Sequence, residues 1–144
     1  MLRRTLVSLL VSALFLACSE GKSPTVPDPA AAVAGIWTLQ TVDGQGLPFT
    51  LPPDGNLKAD LTGEVITLTA PKSMMMVTSF LFNDNGHIFP ESDTGMGTYT
   101  VDGSKVTLTF STDGTVYTAT VSGNKMTLYD PDPAINLTFV YRRN

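Results

Sequence analysis

The sequence predicts an all-β fold: eight antiparallel strands in an up-and-down meander that closes into a barrel, with a two-sheet β-sandwich as the alternative. Three observations carry this reading. Several stretches alternate apolar residues with threonine at period two, the pattern of strands with one face on a core and one in water. The stretches are joined by Asp102-Gly103, Asp113-Gly114, Gly123-Asn124 and Asn83-Asp84-Asn85-Gly86, where glycine and asparagine accept positive φ and turn the chain sharply. After Gly35 no stretch reads as a helix longer than a turn. Closure of the sheet then removes the two unpaired edges that eight strands would otherwise expose.

The chain falls into three parts: residues 1–17, residues 18–34, and a folded domain over residues 35–144, long enough for one core. Met1-Leu2-Arg3-Arg4 is basic and Leu6–Ala17 is apolar, the anatomy of a secretory signal. The apolar run falls short of the roughly 20 residues that a spanning helix needs. The segment 19–34 carries prolines and small residues and no aromatic, which reads as a tether, with a short helix around Ala30–Ala34 as the alternative.

Within the domain, Ile36–Val42 is the first strand. Glu64–Ala70 sets Ile66 and Leu68 against Thr67 and Thr69. Ser73–Phe82 is apolar on both faces, with Met75, Val77 and Leu81 opposing Met74, Met76, Phe80 and Phe82. Gly97–Val101 pairs Tyr99 with Val101. Lys105–Ser111 alternates most regularly, with Val106, Leu108 and Phe110 inward. Thr115–Val121 turns Tyr117, Ala119 and Val121 inward, and Lys125–Tyr129 does the same with Met126 and Leu128. Asn136–Arg142 closes the set with Leu137, Phe139 and Tyr141 inward. The register is strongly specified, because a one-residue slip would exchange every inward apolar group for a threonine. Gly86–Gly95 lies between strands and reads as a solvated connection or a mobile lid.

Cys18, the single cysteine, directly follows the apolar run, and Leu14-Phe15-Leu16-Ala17-Cys18 resembles the lipobox of bacterial lipoproteins. The resemblance implies cleavage before Cys18, acylation of its thiol with palmitate-type chains, and attachment to the cell envelope through a lipid anchor. Ser19 next to the cysteine implies the outer membrane. Gly35-Ile36-Trp37 resembles the Gly-x-Trp signature of lipocalins, and Gly35–Pro48, Gly97–Phe110 and Leu137–Arg142 are similar to segments of bacterial lipocalin-like lipoprotein domains. That family implies a lipocalin-like barrel in which Trp37 plugs one end and an arginine of the last strand, Arg142 or the adjacent Arg143, stacks on it. Arg142 is taken as the stacking residue.

The formal net charge is −4, and Arg3 and Arg4 are the only charges before Cys18, so the remainder is more acidic still. This excludes nucleic acid and a basic lipid-headgroup patch as partners. Met74, Met75 and Met76 with His87 raise a copper site, but adjacent strand residues point to opposite faces and one histidine leaves too few nitrogen ligands. No metal or cofactor is expected. No nucleophile–base pair or phosphate loop stands out, so an enzyme is not expected either. Two functions remain. One is a barrel that binds a small apolar ligand, with Met74, Met76, Phe80, Tyr99 and Tyr117 as its lining and its entrance at the Gly86–Gly95 end. The other is a filled barrel serving as a structural or assembly protein of the envelope; no protein partner is indicated.

Overall fold

The structure, a computed structural model, describes residues 28–53, 57–130, 132 and 136–144. The signal, Cys18 and the first part of the tether lie outside these residues. The remainder of the tether corrects the sequence reading, because Pro29–Val33 forms a short helix, α1, with Ala30 and Val33 buried. Asp28 caps it, its Oδ1 accepting from the Ala30 N–H at 2.9 Å, and proline at the first turn loses no helical hydrogen bond.

The strands are β1 (Gly35–Val42), β2 (Gln45–Gly46), β3 (Phe49–Thr50), β4 (Leu57–Thr69), β5 (Ser73–Asp84), β6 (His87–Asp102), β7 (Lys105–Phe110), β8 (Val116–Ser122), β9 (Lys125–Tyr129) and β10 (Thr138–Arg143). From β4 to β10 each strand pairs antiparallel with the next, and β1 joins the two ends by pairing with β10 and with β4. The result is a closed eight-stranded barrel of β1 and β4–β10, with β2 and β3 as short additions. The sandwich alternative falls with that closure.

The predicted register holds. Val106, Leu108, Met126 and Leu128 are buried, and the threonines between them face outward or lie at the margin. Tyr99 and Tyr141 join the core, and Trp37 is wholly buried.

One end of the barrel is sealed by α1. Three barrel side chains donate to its backbone carbonyls: Trp37 Nε1 to Val33 at 3.0 Å, the Tyr99 hydroxyl to Ala30 at 3.1 Å, and Arg143 Nη1 to Ala32 at 2.8 Å. The Arg143 guanidinium lies over the Trp37 indole, 5.2 Å from the ring centroid. The stacking arginine is therefore Arg143 and not Arg142. Trp37 is the cross-strand partner of Arg143, whereas Arg142 pairs with Thr38 on the outward face.

Gly86–Gly95 is not a loop or lid. His87 begins β6, which pairs with β5 from Asp84↔His87 down to Ser73↔Thr98 but meets β7 only from Gly97 onward. The outer parts of β4, β5 and β6 thus project beyond the ring as a three-stranded flap. Pro90 is tolerated because it sits where β6 is an edge strand.

Candidate functional site

The site is built on a residue that the alternation of β4 carries into the barrel. A bulge between Leu61 and Gly63 shifts the phase, and Glu64 then shares the inward face with Ile66 and Leu68. Glu64 is 9% exposed and is the one buried charged residue among those described. Both carboxylate oxygens accept hydrogen bonds, Oε1 from the Tyr141 hydroxyl and Oε2 from Thr78 Oγ1 at 2.7 Å. Burial raises its pKa above the ordinary carboxylate value, outweighing the two hydroxyl donors that pull it down. Tyr141 is pushed well above the usual phenol value, first by burial and then by the negative charge of Glu64.

Above Glu64, at the end away from α1, the barrel opens into a cavity of about 460 Å³. Its apolar wall is Met76, Phe80, Phe110 and Tyr117, with the last two rings edge-on at 5.5 Å. Its polar wall is Glu64 and Thr78 below, and Asp93 and Asp113 at the exposed rim. The Thr115 N–H, donating to Asp113 Oδ1 at 2.9 Å, holds the Asp113 carboxyl below its ordinary range. Burial raises the Tyr117 phenol, and Asp130, Glu64 and Asp113 add to the shift. Beyond Phe80 the aromatic surface continues along the flap, Phe80 to Phe82 and Phe82 to Phe89, each pair with centroids 5.6 Å apart.

Of the lining residues expected from the sequence, Met76, Phe80 and Tyr117 come together in this cavity. Met74 and Tyr99 do not. Met74 is buried toward the closed end opposite Gly97, and Tyr99 spends its hydroxyl on the floor helix. Cys18 lies outside the described residues. The cavity occupies the end that carries the β5–β6 hairpin, opposite Trp37, but the residues Asp93–Gly95 that border it belong to a strand.

Sequence reasoning missed Glu64, although a signal was present: Glu64, Ile66 and Leu68 are in phase. It missed Asp93 and Asp113 because exposed acids in a turn or connection look the same whether or not a cavity lies beside them. Among the described residues no three histidine, cysteine or acidic side chains are grouped to hold a metal ion, and no helix is long and apolar enough to cross a membrane.

A family model described as a lipocalin-like domain matches residues 33–128. No curated protein matches the chain, and no solved structure matches it.

Proposed function

This chain belongs to the lipocalin-like domain family, and from that premise we propose that it is a non-enzymatic, small-ligand-binding protein of the cell envelope, held at the outer membrane by acyl chains on Cys18. The observation that carries the binding role is the cavity above Glu64: one end of the barrel is sealed by Trp37, Arg143 and α1, while the other is open and walled by Met76, Phe80, Phe110 and Tyr117. A pocket of a few hundred cubic ångströms with apolar walls and a few placed polar groups is the usual form of a small-molecule site.

Titration of the protein with an environment-sensitive apolar dye tests the binding role. Saturable binding is expected, with Met76→Gln and Phe80→Ser each weakening it about tenfold, which corresponds to the roughly 1.4 kcal/mol of a lost apolar contact. Their denaturation midpoints, measured alongside, separate lost binding from lost fold. No saturable binding to the folded protein would favour the filled-barrel reading, a structural role in the envelope.

The anchor is supported by the basic start, the apolar run and Cys18 in sequence. It is also compatible with the chain reaching the domain at its sealed end, through α1. The ten residues from Ser19 to Asp28 span at most about 35 Å when extended, which bounds the distance between an anchored Cys18 and the sealed end. Cys18→Ser is expected to release the protein from the membrane fraction or leave it as unprocessed precursor. A processed mutant that still needs detergent for extraction would overturn the anchor.

A further inference from the structure

We infer that the ligand of this barrel is an organic cation, a protonated amine on an apolar body, seated with its charge toward Glu64 and its body along Phe80, Phe110 and Tyr117. This rests on the ligand-binding reading above and adds the chemical class of the ligand.

The argument starts from what the cavity holds. Every charged residue among those described that lines it is acidic: Glu64 at the base, Asp93 and Asp113 at the rim. Among the described residues no lysine, arginine or histidine lines it. A carboxylate or phosphate ligand would add negative charge beside a partly desolvated carboxylate, where like charges repel far more than in water. A wholly apolar ligand would strip water from Glu64 and return nothing for it. A cation gains on both counts. Each Glu64 oxygen already accepts one hydroxyl hydrogen bond, from Tyr141 and from Thr78, and has a second lone pair for an N–H donor. The two hydroxyls hold the carboxylate in place before the ligand arrives.

The walls suit the same ligand. Phe80, Phe110 and Tyr117 place aromatic rings in the cavity wall beside Glu64, and ring faces attract cations. The row continues outward through Phe82 and Phe89, which extends the apolar surface toward the flap tip. Asp93 and Asp113, exposed at the rim, draw a cation to the mouth. A metal ion is the poorer match, because the acids are not grouped to share one and the aromatic wall offers it no ligands.

A proton linkage follows. The groups that face Glu64 are Tyr141, Thr78 and Tyr117, with Asp93 and Asp113 across the cavity. Burial raises the Glu64 pKa in the empty site, and a bound cation favours the ionised carboxylate and lowers it again. Affinity therefore rises with pH through the raised Glu64 range and levels off above it.

The test uses three probes with one body and different heads: 4-phenylbutylamine, 4-phenylbutanol and 4-phenylbutyrate. Each is titrated calorimetrically into the full chain at low ionic strength. The amine is expected to bind at least tenfold more tightly than the alcohol, and the butyrate most weakly. Glu64→Gln should bring the amine-to-alcohol ratio close to one and remove its pH dependence. Should Glu64→Gln fail to fold, the exposed-rim double variant Asp93→Asn/Asp113→Asn carries the test, with an expected severalfold loss of that ratio. Alcohol or butyrate binding as tightly as the amine would overturn the cation inference and leave the binding reading standing. Saturable binding by none of the three would overturn both.

Discussion

Trp37→Ala is expected to lower the unfolding free energy by about 3–5 kcal/mol, the range for truncating a large aromatic in a core. The indole is wholly buried, and it joins three parts of the molecule. Its Nε1 donates to Val33 and so ties α1 to the barrel floor. Its face carries the Arg143 guanidinium, which in turn donates to Ala32 and to Asn124. It lies on β1, the strand that closes the ring against both β4 and β10. Alanine removes the bulk, the donor and the stacking surface together. Trp37→Phe keeps most of the bulk and is expected to cost about 1–3 kcal/mol, since the Val33 carbonyl loses its donor in a buried place. Arg143→Ala should cost on the order of 1 kcal/mol through the lost stacking. Arg142→Ala should stay within about 0.5 kcal/mol, as for an exposed outward side chain. Chemical denaturation of the four variants checks the order. A Trp37→Ala midpoint close to the parent, or an Arg142→Ala loss larger than that of Arg143→Ala, would refute this account of the floor.

The arginine pair shows how much of the fold was legible in the sequence. Alternation placed Phe139 and Tyr141 inward, and the same period puts residue 143, not 142, on the Trp37 face. The information was present. Stopping the strand at Arg142 concealed it. Glu64 is the same kind of miss: it is in phase with Ile66 and Leu68, but a glutamate at a strand start is ordinarily outside, and only the burial of the surrounding barrel makes its position consequential.

Other features lay beyond local pattern. His87–Thr94 contains a proline and two acids and has no clean alternation, so its strand character comes from pairing with β5 rather than from propensity. The helix Pro29–Val33 is too short to be stable alone. It forms because Trp37, just after it in the chain, and Tyr99 and Arg143, far along the chain, donate hydrogen bonds to its carbonyls. The cavity was legible only in its apolar half. The inward set named Met76, Phe80 and Tyr117, while the acidic rim depends on where the Thr112–Thr115 turn and the outer part of β6 come to rest.

Gly97→Ala is expected to destabilise the barrel by about 3 kcal/mol or more, at or beyond the upper end of ordinary overpacking. The constraint at Gly97 is one of room. A Cβ built there would lie 2.1 Å from the Thr109 carbonyl oxygen and 2.9 Å from Met74 Cε. The methionine can move, but the carbonyl cannot without disturbing the β6–β7 ladder, in which Gly97, Thr98 and Tyr99 pair with Phe110, Thr109 and Leu108. Spreading that ladder strains a closed ring, where a displaced strand has no free edge to yield toward. Gly95 offers the contrast. Its Cβ would meet the Phe110 ring at 2.3 Å, and a side chain can turn away. Gly95→Ala should therefore cost less, about 1–2 kcal/mol by the same overpacking scale. It should also weaken ligand binding, because Phe110 would be driven toward the cavity it lines. Gly46→Ala, with nothing within 4 Å of its Cβ, is the control and should stay within about 0.5 kcal/mol. Thermal and chemical denaturation of the three variants decide the matter. If Gly97→Ala proves as stable as Gly46→Ala, β6 and β7 do not approach as closely as the 2.1 Å contact with the Thr109 carbonyl requires.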